Sequence, residues 1–262
     1  MCKSVWESSF LMPDDLRSSY DNVAGMYHTL WADWYLPAAM PALNKLFFSQ
    51  VPTGARVLDL CCGSGHVTKE IAARGYAVTG VDNSAGLIEL ARRELPHVEF
   101  FVQDATHLSL PGKFQAVLCT FDSLNHILTL EDLEQAFAGV YRSLDPGGLF
   151  VFDMNLAEAY SADLHQWSVD LQEESAGLVR GKFDPLSKIA TTELIWFVKA
   201  PATDCWRRHQ GTVKQRCYPQ AEIVSALART GFHRIETIAA REVGVTSELG
   251  FGRTYFAAYA HE

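Results

Sequence analysis

The sequence predicts an α/β protein built on a doubly wound parallel sheet. Three observations predict this class. Short apolar runs alternate with segments of helical spacing from residue 56 to 155, a turn with two glycines follows the first run, and acidic residues stand at the ends of the first three runs. Strands that alternate with helices are typical of parallel βαβ units. The 262 residues, 48% of them apolar, can bury a large core in one domain with an insertion.

Composition disfavours several other classes of protein. The net charge of −9 disfavours a general nucleic-acid binder, because an acidic chain repels phosphate. No stretch approaches the ~18–20 apolar residues of a membrane span, and no apolar run follows Lys3 as in a secretory signal, so we expect a cytoplasmic protein without a membrane partner. The six cysteines form no CxxC pair and the nine histidines no HExxH motif, so we expect free thiols and no metal site.

The N-terminal segment is predicted to be a helical cap. Between residues 13 and 49, apolar and aromatic residues recur at three- and four-residue steps, the spacing of one helix face. Pro37 and Pro41 are expected to break this helix into pieces, because proline lacks the backbone N–H. Tyr20 and Tyr27 belong to the pattern, and both core packing and contact with a ligand remain open for their side chains.

The first predicted strand covers residues 56–60, and the turn after it reads Cys61-Cys62-Gly63-Ser64-Gly65. Its glycines let a ligand approach the backbone, and the helix over 66–74 presents free N–H groups. A dinucleotide fingerprint needs a third glycine where this chain has Thr68. Asp59, just before the turn, favours a cationic ammonium or sulfonium ligand over a pyrophosphate.

The alternation continues to residue 155 with four more predicted strands, at 77–81, 98–102, 114–119 and 149–152. Ser84 is expected to cap a helix over 85–95, and Thr129 a helix over 131–144. Residues 145–148, Asp-Pro-Gly-Gly, are expected to form a turn before the last of these strands.

The pattern changes after residue 155. Strand-like runs with turn residues between them predict a small antiparallel sheet within 165–217, followed by a helix over 220–230 and by strands near 232–239 and 253–260. We therefore expect an N-terminal helical cap, a ligand-binding core, an inserted β lid on the substrate side and a C-terminal part of the core, at residues 1–50, 51–155, 156–218 and 219–262.

Acidic residues at successive strand ends point to a nucleoside-like ligand. Asp82 ends the second strand, where a carboxylate accepts hydrogen bonds from ribose hydroxyls. Asp104 follows the third strand and could accept from an adenine amino group. A single aspartate at such a place is more often a helix cap, but three of them beside a glycine-containing turn favour a binding site.

These residues resemble the class I S-adenosylmethionine-dependent methyltransferases. The motifs that carry the resemblance lie in the expected order at 57–65, 80–84, 103–105, 114–118 and 144–148. The resemblance implies a Rossmann-like seven-stranded sheet of order 3-2-1-4-5-7-6 with strand 7 antiparallel. It implies S-adenosyl-L-methionine as the cofactor, with S-adenosyl-L-homocysteine as its product.

The same resemblance implies which residues bind the cofactor. The methionine part is held at the glycine turn and its surroundings, the ribose by Asp82, and the adenine between Asn83 and the Asp104-Ala105 pair. The segment after the fourth strand lies under the sulfonium. The remaining predicted cofactor residues are Tyr27, Asp59, Cys61, Gly63 and Gly65 near the methionine part, and Thr120 and Phe121 near the sulfonium.

A finer resemblance concerns the acceptor. Residues 20–27, residues 119–126 and the inserted sheet look like enzymes that N,N-dimethylate nucleotide-linked amino sugars, and glycine N-methyltransferase-like enzymes share parts of the pattern. It implies a small-molecule acceptor, with an amine favoured. Asn125 departs from the small residue expected before the histidine. The implied acceptor-side residues are His126 and Tyr20 in catalysis, and Trp196 and Arg208 in substrate binding.

Two of these residues keep alternative interpretations. His126 is either a base or orienting acceptor for the amine, or a histidine bonded to backbone. Arg208 shares one strand face with Lys214 and Arg216, and that face either binds an anionic substrate or is solvated.

Other functions also remain open. An oxygen or carbon acceptor is the nearest alternative, and a homodimer is left open. From other classes, a NAD-dependent oxidoreductase is disfavoured by Thr68 and Asp59, and a non-catalytic cofactor-binding module is weakly disfavoured by the long lid.

Overall fold

The computed structural model describes residues 32–161, 166–200 and 204–261, with residues 32–34 described by backbone alone. The described residues form eleven strands. They are β1 (Arg56–Leu60), β2 (Ala77–Asp82), β3 (Glu99–Val102), β4 (Phe114–Cys119), β5 (Leu144–Asn155), β6 (Ser168–Leu171), β7 (Ser175–Asp184), β8 (Ile189–Lys199), β9 (Trp206–Arg216), β10 (His233–Ala239) and β11 (Arg253–Tyr259).

Seven of these strands form the main sheet, in the order β3-β2-β1-β4-β5-β11-β10. Strands β1 to β5 pair in parallel, and β11 runs antiparallel to both of its neighbours. The predicted strand order and the antiparallel last strand are therefore confirmed.

Helices cover both faces of this sheet. They are α1 (Ala32–Leu43), α2 (His66–Ala73), α3 (Ala85–Glu94), α4 (Leu130–Ser143) and α5 (Gln220–Arg229). Successive strand residues point to opposite faces, so Leu58 packs in one core with α4 and α5, whereas Val57 packs in another with α1 and α2. None of the helices in the described ranges is long and apolar enough to cross a membrane.

The predicted helix starts of α3 and α4 are confirmed. The Ser84 hydroxyl accepts a hydrogen bond from the Leu87 N–H at 3.2 Å, and the Thr129 hydroxyl accepts one from the Asp132 N–H at 3.1 Å. These bonds satisfy two of the N–H groups that a helix start leaves without an intrahelical partner.

The prediction that prolines interrupt the first helix was wrong for its described part. Pro37 and Pro41 both lie inside α1, which continues into a π-helical turn over Asn44–Phe48. Each proline removes one N–H donor, but the buried side chains of Tyr35 and Leu43 pack this helix against the sheet. The rest of the predicted helical pattern, at 13–31, lies outside the described residues.

The predicted turn at 145–148 is instead part of β5. Its pairing with β4 jumps from Phe114 opposite Leu144 to Ala116 opposite Leu149, so these residues bulge out of the ladder. The backbone of Gly147 has φ +71° there. The turn chemistry of the sequence was therefore correct, but it produces a bulge within a strand rather than a separate turn.

The remaining four strands form a separate antiparallel sheet in the order β6-β7-β8-β9. The predicted antiparallel sheet is confirmed, and it lies in the chain between β5 and α5. Leu194, Trp196 and Val213 are buried together on one of its faces.

Asn125 joins the end of β9 to the end of β5. It is fully buried, and its Nδ2 donates to the carbonyl oxygens of Asn155 at 3.1 Å and Arg216 at 2.8 Å. Its Oδ1 accepts from the Asn155 N–H at 2.9 Å. The departure from the expected small residue thus has a structural role, because the amide joins two strands of different sheets.

Asp59 ties β1 to α2. It is 1% exposed, and its Oδ2 accepts a hydrogen bond from the Thr68 hydroxyl at 2.6 Å. Burial raises the pKa of Asp59 to about 7; the Thr68 bond acts in the opposite direction, and the Asp82 charge adds to the rise. The folded chain therefore disfavours an ionised Asp59.

Replacing Asp59 with Asn should stabilise the ligand-free protein above pH 7 and change its stability little near pH 4. A carboxyl pKa raised from 3.8 to about 7 makes ionisation destabilising by roughly 4 kcal/mol at most, and this cost develops as pH rises through that window. The free energy of unfolding by urea between pH 4 and 8 measures the difference. Asp170→Asn, at an exposed position of β6, is the control, and a difference between Asp59→Asn and wild type that does not grow with pH would contradict the prediction.

Candidate functional site

A cavity of about 1490 Å³ opens at the carboxyl ends of the parallel strands. Ligands bind at this edge in doubly wound sheets. The volume exceeds the roughly 300–1,000 Å³ of most single-ligand pockets, so the cavity has room for two molecules side by side. One wall comes from the strand ends of the main sheet, and the facing wall from β7, β8, β9 and the segment 246–251.

The cavity brings together most of the residues that the sequence singles out. Those that line it are Cys61, Gly63, Asp82, Asn83, Asp104, Ala105, Phe121 and His126. Asp59 and Thr120 line a separate, much smaller void, together with Cys61 and Phe121. Tyr20 and Tyr27 lie outside the described residues.

The glycine turn is shaped by left-handed backbone at three of its residues. Cys61, Gly63 and Gly65 have φ +58°, +55° and +88°. Gly65 also permits close packing, because a Cβ there would lie 3.3 Å from the Cβ of Ala91 in α3. The non-glycine Cys61 in this region places strained backbone at the cavity edge.

Asp82 connects this turn to the end of β2. Its Oδ2 accepts a hydrogen bond from the Gly63 N–H and its Oδ1 one from the Ser84 N–H, both at 2.9 Å. These bonds fix the plane of the carboxylate at the cavity. A carboxylate oxygen can accept more than one hydrogen bond, so a carboxylate fixed in this plane suits the two neighbouring hydroxyls of a ribose.

Asp104 satisfies both of the interpretations that its position allows. Its Oδ1 accepts from the Thr106 N–H at 2.8 Å and from the Thr106 hydroxyl at 2.7 Å, which caps the short 3₁₀ turn Ala105–His107. Asp104 and Ala105 also line the cavity beside Asn83. Capping orients the carboxyl group without removing it from the site.

The segment after β4 is held by a buried charge cluster that the sequence did not reveal. The Arg253 guanidinium forms ion pairs with Asp153 and, at 2.6 Å, with Asp122. Burial lowers the pKa of Arg253, but the two carboxylates outweigh this and raise it. Burial raises the pKa of Asp153, and Arg253 opposes that shift. One signal was available, because Asp153 is an acidic residue inside the apolar run 149–154.

His126 is oriented by β9. Its Nδ1 lies 2.8 Å from the Lys214 carbonyl oxygen, which can only accept, so we assign the proton to Nδ1 and the lone pair to Nε2. Gln215 Nε2 lies 3.3 Å from His126 Nε2 and also donates to Asp122. Burial lowers the pKa of His126, while Asp122 and the Lys214 carbonyl act in the other direction. The imidazole is therefore neutral at pH 7 and held between two sheets.

The two acceptor-side residues predicted on the smaller sheet do not line this cavity. Trp196 is buried within that sheet, with its ring 5.1 Å from that of His209. Arg208 pairs with Phe197 and is exposed. Alternation along β9 places Arg208 on the face opposite Val213, which lines the cavity. This placement favours the solvated-face interpretation of Arg208.

The residues present fit an adenosyl ligand. A carboxylate fixed for two hydroxyls, a backbone turn open to close approach and a second carboxyl beyond β3 stand along one wall. No group of three or more His, Cys, Asp or Glu among the described residues is arranged to hold a metal ion.

Comparison with known proteins agrees with this geometry. Residues 57–148 match the family model described as a methyltransferase domain. The chain is 28% identical over 228 residues to the putative methyltransferase YqeM of Bacillus subtilis, covering 83% of this chain and 86% of that protein.

Two further similarities concern shorter or more distant matches. The chain is 32% identical over 115 residues to the dTDP-3-amino-3,4,6-trideoxy-alpha-D-glucopyranose N,N-dimethyltransferase of Streptomyces venezuelae, covering 42% of this chain and 47% of that protein. A solved S-adenosylmethionine-dependent methyltransferase from Clostridium acetobutylicum has the same fold, with a TM-score of 0.76 and 20% identity over 94% of this chain and 100% of that chain. Residues 57–148 therefore carry a methyltransferase domain, and the chain has the fold of an S-adenosylmethionine-dependent methyltransferase.

Proposed function

We propose that this protein transfers a methyl group from S-adenosylmethionine to the nitrogen of a small amine, with a nucleotide-linked amino sugar as the favoured class of acceptor. The observation that carries the proposal is the position of His126. A neutral imidazole with its lone pair on Nε2 lines the same cavity as Asp82 and Asp104. The similarity to an N,N-dimethyltransferase of a dTDP-linked amino sugar supports this class of acceptor.

The chain's part in the reaction is to bind and align. When bound, S-adenosylmethionine supplies an electrophilic methyl group on a cationic sulfur. Asp82 would hold the ribose, the glycine turn the methionine part, and Asn83 with Asp104 the adenine. Methyl transfer depends on aligning the acceptor lone pair with the carbon–sulfur bond, so the segment at Phe121 would set that direction from the wall after β4.

His126 would take the proton that an amine acceptor must lose, with the amine replacing the Gln215 amide that lies 3.3 Å from Nε2. A free alkylamine has a pKa of ~10.4 and an imidazole one of ~6.5, so transfer in water is uphill. Burial of the amine inside the cavity lowers its pKa and narrows this gap.

We also propose that residues 156–218 act as a lid. Strand β9 of this segment contacts the main domain through the Lys214 and Arg216 carbonyl oxygens, which accept from His126 and Asn125. Because this lid would be hydrogen-bonded to the proposed base, its closure would exclude water and also orient the imidazole of His126. The division into four segments, a cytoplasmic location and a homodimer stay predictions.

Methylation of an amino sugar is the direct test. Purified protein with S-adenosylmethionine should add 14 or 28 mass units to a dTDP-linked amino sugar, read by mass spectrometry, and should add none to the matching hydroxy sugar. In a thermal-shift control, S-adenosylhomocysteine should stabilise the protein, by ~4 kcal/mol for a micromolar binder at millimolar concentration, and NAD should not. Methylation of the hydroxy sugar alone would make the enzyme an O-methyltransferase.

Replacing His126 with Asn should slow methyl transfer without weakening cofactor binding. General bases contribute about 10²–10⁴-fold, so we expect kcat to fall at least about 100-fold. The dissociation constant of S-adenosylhomocysteine, measured by titration calorimetry, should stay within threefold of wild type. His97→Asn, at an exposed histidine before β3, is the matched control. An unchanged kcat at saturating acceptor would remove the role of His126 as the base.

Replacing Asp122 with Asn should move the acid limb of the kcat/KM profile to lower pH. His126 must be neutral to accept a proton, so activity falls as pH decreases through its pKa, which burial holds below its ordinary value. The Asp122 charge opposes that lowering, so the variant should remain active at more acidic pH than wild type. Profiles measured between pH 5 and 8 decide this, and a limb that stays in place or moves upward would contradict it.

A further inference from the structure

Two successive residues after β4 hold a backbone conformation that L-amino acids rarely adopt. Phe121 has φ +63° and Asp122 has φ +46°, both in the left-handed region. Neither is glycine, and such residues persist only where the surroundings hold them. Both line the large cavity, so what holds this backbone also determines the shape of the cavity wall.

The Asp153 carboxylate is the group that holds it. Its Oδ1 accepts from the Phe121 N–H at 2.8 Å, and its Oδ2 accepts from the Asp122 N–H at 3.1 Å. The two successive N–H groups therefore point to one anionic group. Here a side chain of β5 is that group, and it is 1% exposed.

The neighbours of Asp153 complete the arrangement. The Tyr35 hydroxyl lies 3.3 Å from Asp153 Oδ1 and 3.0 Å from the Phe121 nitrogen, and its ring stacks on that of Phe121 at 4.3 Å. Arg253 supplies the opposite charge, and its Nε donates to the Leu249 carbonyl at 3.0 Å. The carboxylate is thus bonded to α1, to the segment after β4 and to β11.

We propose that Asp153 is a positioning residue for methyl transfer, a role that rests on the function proposed above. By holding Phe121 and Asp122 in left-handed backbone, it places the wall against which the acceptor is aligned. From there Asp122 reaches Gln215, and Gln215 reaches His126. These contacts connect Asp153, on strand β5 of the main sheet, to His126, the proposed base.

The Asp153→Asn substitution tests this positioning role directly. An amide has one accepting atom, so it can accept from only one of the two N–H groups, and Arg253 keeps only Asp122 as a counter-charge. We expect amide hydrogen exchange in peptides spanning residues 119–125 of the ligand-free protein to be at least tenfold faster than in wild type. We expect kcat to fall at least tenfold, with the dissociation constant of S-adenosylhomocysteine within threefold of wild type.

Asp145→Asn is the matched control. Asp145 lies at the other end of β5, where its carboxylate contacts Arg56 at 3.4 Å and Gln115 at 2.6 Å. The same substitution on the same strand should change neither exchange in 119–125 nor kcat. Faster exchange that is confined to 119–125, with wild-type exchange in the rest of the Asp153→Asn protein, separates a positioning role from a general loss of stability.

Tyr35→Phe is the second variant, because Asp153→Asn removes a buried charge and could fail to fold. It deletes one hydroxyl from the same group and keeps the ring that stacks on Phe121, so we expect the same changes at a smaller size, about threefold. Folded variants with wild-type exchange in 119–125, or with faster exchange and wild-type kcat, would overturn the proposal. If wild type methylates no amine, the proposed function fails, and the exchange measurement still decides what Asp153 holds.

Discussion

The ion pairs of Arg253 with Asp153 and Asp122 are the constraint on which the site depends. A guanidinium that is 4% exposed must have its charge compensated, and two carboxylates from different parts of the chain compensate it. Asp153 also accepts hydrogen bonds from the N–H groups of Phe121 and Asp122, whose backbone is left-handed. The same carboxylate therefore compensates the charge of Arg253 and holds this backbone. Removing any member would leave a buried charge or a buried N–H without its partner.

The cavity wall at the ends of β2 and β3 is organised by a similar use of carboxylates. Asp82 accepts one N–H from the glycine turn and one from the start of α3, so two loops that are distant in the chain are fixed by one side chain. Asp104 caps the turn beyond β3 in the same way. These acids stay at the cavity because local backbone N–H groups hold them there. The same bonds explain why helix capping and ligand binding do not exclude each other.

The cavity wall that carries His126 depends on contacts between the two sheets. His126 and Asn125 both donate to carbonyl oxygens of β9, and Gln215 of that strand reaches Asp122. Spacing in the sequence could place His126 after the fourth strand but could not reveal which backbone its Nδ1 would meet, because Lys214 lies 88 residues away. The basic residues that share its strand face made Arg208 a candidate for binding an anionic substrate. The pairing of β9 with β8 places Arg208 on the sheet face opposite the one that lines the cavity.

The order of the strands in the sheet came from the resemblance to a known family. The sequence alone determined the alternation of strands and helices, the caps at Ser84 and Thr129, and the set of residues at the strand ends. These features follow from local periodicity and from motifs whose members are close in the chain. Tertiary structure decided that the prolines of α1 stay inside the helix, that Asp59 is buried with a raised pKa, and that Arg253, which pairs with Asp153, lines the cavity together with Gln215. Each of these depends on groups distant in sequence, because burial and charge pairing exist only after the chain has folded.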